Sequence, residues 1–540
     1  MLRAATVLSV LVTVGQLAAC GGSSGNPPPP PPPPPPPVLE AGQVQTAQGI
    51  VEGTTEGELL VFRGIRYAAA PIGDLRFKAP AAPPTFAGVQ IAASFGENCI
   101  QPQGMTTVGA EDCLFLNIWA HNDDTVRPVM VYLHPGAANG VGGDMTTIEP
   151  SLFADSEDVV VVNFNRRIAV LGYLALDELI NENPRVTASN YAVLDVIAAL
   201  QWVQDNIAEF GGDPDRIMLF GTSSGGLTTC AVLGAPEAAG LFHAVGIQSA
   251  PCTPGMMQKL NASVSFNSRF PPAVDTHREL LPAVGCDAAA DVPACLRALP
   301  AEDLVLASLS VEFASPWIVF GPLIDGVVVQ QDIRTALANQ TAGDIPLIVG
   351  GAENEVGDQF DSLSLPDDAS YRTHLANVFT DPFDDALYAL YPTAAYATPK
   401  DAFLTLWSDL FYSCAVERLA LEASSGAPSY LFEITRGFDT GPFAGQGAVH
   451  AIDINYLFSN FDTVGITPDA QSSVIGNAMT AAWAGLATDP TAAPPIAQDS
   501  SVFWPTYESV TSSYADFGDP VAATTGHRES RCAELFALFP

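Results

Sequence analysis

Gly221-Thr222-Ser223-Ser224-Gly225-Gly226 is the stretch with the clearest chemistry. A lone G-x-S-x-G pattern is weak, because a serine-rich turn has the same composition. Here an apolar run, 217–220, precedes it and a helix-compatible run, 227–233, follows. A strand–turn–helix of this kind bends so tightly that the flanking positions need glycine. It lifts the Ser223 hydroxyl above a sheet and aims the next helix N-terminus at it. The N–H of Ser224 then points at any oxyanion that develops. Such a serine is a nucleophile for acyl transfer, given an imidazole to take its proton and a carboxylate to orient the imidazole.

Elements that could hold these groups are legible around it. Val129-Met130-Val131-Tyr132-Leu133 and Val159-Val160-Val161-Val162 read as buried strands, as do Ile217-Met218-Leu219-Phe220, Pro346-Leu347-Ile348-Val349 and Ser429-Tyr430-Leu431-Phe432-Glu433. Between the second and third, Val193, Val196, Ile197, Leu200, Val203 and Ile207 recur at helical spacing over 190–209, with Asn190 as the expected N-terminal cap. Strands alternating with helices predict a mostly parallel sheet covered on both faces, with its site beyond the carboxyl ends of the strands.

Phe210-Gly211-Gly212-Asp213-Pro214-Asp215-Arg216, running into the elbow, resembles the signature of the type-B carboxylesterase/lipase family, which includes the cholinesterases. Glu111-Asp112-Cys113-Leu114-Phe115-Leu116-Asn117 resembles its second signature, and Phe62-Arg63-Gly64-Ile65-Arg66-Tyr67 its N-terminal strand. The resemblance extends from about residue 44 to the C-terminus. It implies one catalytic domain of the α/β-hydrolase fold over 44–540, with a large, mostly parallel central sheet. It also implies a serine carboxylic-ester hydrolase that forms an acyl-enzyme from small to medium esters, with no metal or cofactor. A lipase or amidase on the same triad, or a non-catalytic binding protein of this fold, is the alternative.

Carried over residue by residue, the resemblance assigns Ser223 as nucleophile and His450, in Gly447-Ala448-Val449-His450, as base. The acid lies between them in chain order. In Gly350-Gly351-Ala352-Glu353-Asn354-Glu355 the matching position is Glu355, with Glu353 as competitor. His134-Pro135-Gly136-Ala137 resembles the family's oxyanion turn, so the N–H groups of Gly136 and Ala137 join that of Ser224. Ser249 is either a hydrogen-bond partner of the acid or a plain loop serine. Four positions depart from the family pattern: Pro135 and Val356 each replace a glycine, Ala138 an aromatic and Thr222 a glutamate, the last with an expected effect on pH response.

Nine cysteines become eight once Cys20 is set aside, and an even count in an exported chain suggests disulfides. Cys99 with Cys113 and Cys286 with Cys295 are near neighbours, and Cys414 with Cys532 would tie down the C-terminal tail. The resemblance implies these same three pairs. Cys230 with Cys252 follows from parity alone.

The formal charge of −38, with only three lysines, excludes nucleic acid as a natural partner. Residues 1–20 read as an export signal: Arg3, an apolar segment too short to span a bilayer, then Leu17-Ala18-Ala19-Cys20. This resembles a bacterial lipobox, which would make Cys20 the lipid-attachment site. The expected location is periplasmic or cell-surface, with the membrane touched only through that anchor. A tether over 21–43 follows, including eleven consecutive prolines that span about 34 Å as polyproline II. A monomer acting on a small-molecule ester is expected.

Overall fold

The computed structural model describes residues 39–136, 148–182, 189–250, 252, 258–260, 272–312, 319–339, 342, 344–357, 360, 363–379, 382–462, 465–496 and 502–538. Cys20 and most of the expected tether lie outside these residues. So do Ala137 and Ala138.

Runs that are apolar on both faces build the centre. Eleven strands form one sheet: β1 (Thr54–Glu56), β2 (Leu59–Arg66), β3 (Phe115–His121), β4 (Arg127–Leu133), β5 (Val160–Phe164), β6 (Gly212–Thr222), β7 (Ala244–Gln248), β8 (Leu347–Ala352), β9 (Ser429–Ile434), β10 (Tyr514–Phe517) and β11 (Ala522–Thr524). Their spatial order is β11-β10-β9-β8-β7-β6-β4-β5-β3-β2-β1. The block from β10 to β5 is parallel throughout. Both flanks turn antiparallel. The expected mostly parallel sheet is therefore found, with antiparallel edges.

Alternation along the strands feeds two separate cores. Val129, Val131 and Leu133 of β4 and Ile217 and Leu219 of β6 enter one. Met130, Tyr132, Met218 and Phe220 enter the other. Helix α1 (Tyr191–Asn206) covers the first face with Val193, Val196, Leu200 and Val203. Helix α4 (Ala470–Thr488) covers the second with Ile475, Met479, Trp483 and Leu486. Fully burying each such side chain stabilises the fold by about 1.5–3 kcal/mol, which makes this block the rigid base for any site above it.

Asn190 corrects one expectation. It stands at the N-cap position of α1 but in a left-handed conformation, and its side chain makes no cap hydrogen bond. Its amide instead donates to Leu323 O and accepts from Leu323 N, both at 2.8 Å, and donates to Asp325 at 3.0 Å. The amide has exchanged a local role for pinning a loop 133 residues away. All four cysteine pairs are bonded as expected, Cys230–Cys252 included. Phe320 is buried and stacks on His277, so it belongs to the core.

Candidate active site

Strand β6 ends at Thr222, and helix α2 (Ser224–Leu233) begins at Ser224. Ser223 between them has φ 57° and ψ −121°. A non-glycine residue there is strained and persists only when its surroundings over-determine it. The surroundings do so. Ser223 N donates to Gln248 O at 2.9 Å, and Leu227 N to Ser223 O at 2.9 Å. A Cβ on Gly225 would lie 2.2 Å from Leu133 O, and one on Gly226 2.6 Å from the Ala250 Cβ. The glycines are needed for this close approach of the helix to the neighbouring strands.

His450 lies on the loop between β9 and α3 (Ile452–Phe458), and Glu355 on the loop after β8. Asn354 N donates to Ala448 O at 2.9 Å, which joins the two loops. The three side chains form one hydrogen-bonded line. His450 Nε2 is 2.8 Å from Ser223 Oγ, and His450 Nδ1 is 2.6 Å from Glu355 Oε2. Glu355 is fully buried, and its Oε1 accepts from Ala352 N at 2.7 Å. The carboxylate thus fixes the tautomer that leaves Nε2 free to accept the serine proton. Tyr412 packs edge-on against the imidazole, with centroids 5.4 Å apart.

Glu353, the competing acid, has its carboxyl within reach of the charges of Glu433, Arg528 and Asp516, while His450 bonds Glu355. Of the two readings of Ser249, the structure favours the plain loop serine: it is buried, and its hydroxyl has no hydrogen-bond partner among the described residues, Glu355 included. The other buried histidines are structural. His277 accepts from Ala175 N and donates to Val319 O, and burial pushes it down to about 4.

Ser224 opens α2, so its N–H has no partner within the helix and stands at the positive end of the helix dipole. Gly136 has φ +107°, a conformation suited to glycine, and follows the end of β4, whose Leu133 carbonyl, with that of His134, lies against Gly225. Ala137, the third expected donor, lies outside the described residues. His134 is buried, and its Nδ1 donates to Pro135 O at 2.8 Å. Burial and the charge of Arg166 hold its pKa well below the usual value, so it is neutral. It ties the proline turn to its own ring.

Thr222 has a partner that sequence reading missed. Its hydroxyl donates to Asp453 Oδ2 at 2.7 Å, and Gln248 Nε2 donates to the same oxygen at 2.5 Å. Asp453 is fully buried, and its Oδ1 has no partner. Burial raises its pKa to about 6, against the Thr222 hydrogen bond, and the charge of Glu355 adds to the rise. An acidic residue three positions after His450, in the first turn of a helix, was the available signal.

Glu417, His527 and Cys532 lie together in a grouping that could suggest a metal. However, Cys532 is bonded to Cys414, and the His527 Nδ1 donates to Glu417 at 3.0 Å. A cavity of about 730 Å³ lined by Leu233, Phe242, Ile345 and Pro346 opens at the amino ends of β7 and β8, away from Ser223.

A doubly covered, mostly parallel sheet with a serine at a strand–helix bend, and a histidine and a glutamate on loops beyond the same strand ends, defines an α/β-hydrolase. The chain belongs to the carboxylesterase family, whose profile matches residues 40–535. It is 33% identical over 463 residues to a fumonisin B1 esterase of Sphingopyxis macrogoltabida, covering 82% of this chain and 81% of that one. It is 29% identical over 432 residues to a para-nitrobenzyl esterase of Bacillus subtilis, covering 78% and 83%. A solved carboxylesterase of Geobacillus stearothermophilus superposes with a TM-score of 0.77 at 27% identity, over 92% of this chain and all of that one. The protein is a carboxylic ester hydrolase.

Proposed function

We propose that the protein hydrolyses small to medium carboxylic esters through an acyl-enzyme on Ser223. The observation that carries this reading is the unbroken line Ser223–His450–Glu355. As Ser223 Oγ bonds to the ester carbonyl carbon, its proton passes to His450 Nε2 and the carbonyl π pair moves onto oxygen. The N–H groups of Ser224, Gly136 and Ala137 receive that oxyanion. The C–O bond to the alcohol then breaks, and the alkoxide takes the proton from His450. Water repeats the sequence on the acyl-enzyme, releases the acid and restores the Ser223 proton. Glu355 keeps its charge throughout and stabilises the imidazolium.

The relatives' names point to small organic esters as the substrate class. Export with a lipid on Cys20 is part of the same proposal, supported by the lipobox-like Leu17-Ala18-Ala19-Cys20 and the proline run behind it. Globomycin-sensitive processing that is lost in Cys20→Ser supports that part, and processing unaffected by the substitution contradicts it.

A series of p-nitrophenyl esters of increasing acyl length tests the enzyme. Wild type turns over the short members. Ser223→Ala abolishes turnover, and Glu355→Gln lowers kcat by about 10⁴. Absence of turnover on every short ester by wild type would refute the proposal.

A further inference from the structure

Two arginines follow β5 in sequence, and the structure treats them differently. Arg167 is paired in the usual way: its Nε and Nη2 donate to Asp195 at 2.8 and 2.6 Å. Arg166 is equally buried, yet no carboxylate contacts it among the described residues. Its Nη1 donates to His134 O at 3.1 Å and its Nη2 to Ser224 Oγ at 3.2 Å. Its Nε has no partner. The Tyr173 hydroxyl also hydrogen-bonds it, and Tyr67 and Tyr132 lie near enough to act on its charge. A buried guanidinium without a counter-ion is costly, and folds seldom keep one.

The two acceptors say what the charge faces. Ser224 carries an oxyanion donor on its backbone, and the His134 carbonyl opens the turn that leads to Gly136. Arg166 therefore grips both walls of the oxyanion site at once, behind the atoms that would meet substrate.

We propose that Arg166 is a positioning residue whose missing counter-ion is the tetrahedral oxyanion. It holds the elbow and the Gly136 turn in register. It also sets a fixed positive charge behind the donors, in a site shielded from water where such charges act strongly. Among the described residues the resting enzyme gives this charge no carboxylate partner, and the negative charge formed during acylation and deacylation completes the pair. This inference rests on the acyl-enzyme reading above.

The test is the kinetics of Arg166→Met and Arg166→Lys on p-nitrophenyl acetate, with Ser223→Ala in parallel and melting temperature as the folding control. For Arg166→Met, kcat and kcat/KM fall together by about 10–100-fold, the mark of an interaction made in the transition state. The Ki of a trifluoromethyl ketone, which forms a hemiketal oxyanion on serine, rises in proportion. Arg166→Lys keeps the charge and recovers at least about threefold of the loss. If Arg166→Met does not fold, Arg166→Lys against Arg166→Gln carries the test. Equal kcat in the charged and uncharged variants, or a loss confined to KM, overturns the role of Arg166. Activity that survives Ser223→Ala overturns instead the reading on which it rests.

Discussion

At the scale of single residues, Ser223 is held in an unfavourable backbone conformation so that three distant chain segments can meet at its hydroxyl. The glycines beside it were legible in sequence from the tight turn, and His450 and Glu355, which hydrogen-bond in line with it, from the positions that the family resemblance implies. Asp453 and Arg166 were not legible, because their roles depend on contacts across 231 and 58 residues. Thr222 takes its meaning from the same long-range contact. At the position where the family resemblance implies a glutamate, a neutral hydroxyl instead donates to a carboxyl from α3, the helix after the histidine's loop. That carboxyl has a consequence for stability. Its folded pKa of about 6 lies above the ordinary 3.8, so the fold prefers it protonated. The corresponding stabilisation is present below about pH 4 and is lost as pH rises through about 6. Asp453→Asn, which cannot ionise, should therefore be more stable than wild type at pH 7–8, by up to about 3 kcal/mol, with the advantage gone at pH 4. Denaturant melts at the two pH values would show it, and an equal difference at both would exclude ionisation as the cause.

At the scale of elements, the parallel strands that carry the site were readable because burial on both faces makes them continuous apolar runs. The edges β1 and β11 are short, and β7 is interrupted by Gly246, so none announces itself. The C-terminal segment is fastened by charge as well as by the Cys414–Cys532 bond and the burial of Leu535. His527 lies between Glu417 and Glu433, and Arg528 bonds Glu433 at 2.9 Å and also contacts Asp409. Burial alone would lower the His527 pKa, but the two carboxylates outweigh it and push it up to about 9. Burial would likewise raise Glu433, but His527 and Arg528 outweigh it and hold it at about 2. The histidine's contribution is full below about pH 6.5 and is lost as pH rises through 9. The glutamate's is full above about pH 4.5 and is lost as pH falls through 2. The fastening is thus strongest between about pH 4.5 and 6.5. His527→Gln should lower the melting temperature most in that window and progressively less towards pH 10. A deficit that stays constant to pH 10 would show that the charge on His527 does not matter.

At the scale of the whole molecule, two cores back to back on one sheet leave the strand ends as the place where loops from distant parts of the sequence converge. A net charge of −38 surrounds this body. Mutual repulsion opposes the compact state and is screened over about 10 Å at 0.1 M salt and about 3 Å at 1 M. The melting temperature should therefore rise as sodium chloride goes from low to molar concentration, and a fall would mean that favourable ion pairs outweigh the repulsion. The central claim, however, concerns one covalent bond. Wild-type protein mixed with p-nitrophenyl acetate, quenched in acid during turnover and digested, should carry an acetyl group on the peptide containing Ser223, and Ser223→Ala should carry none. Acetylation at another residue, or turnover by Ser223→Ala equal to that of wild type, would contradict the account.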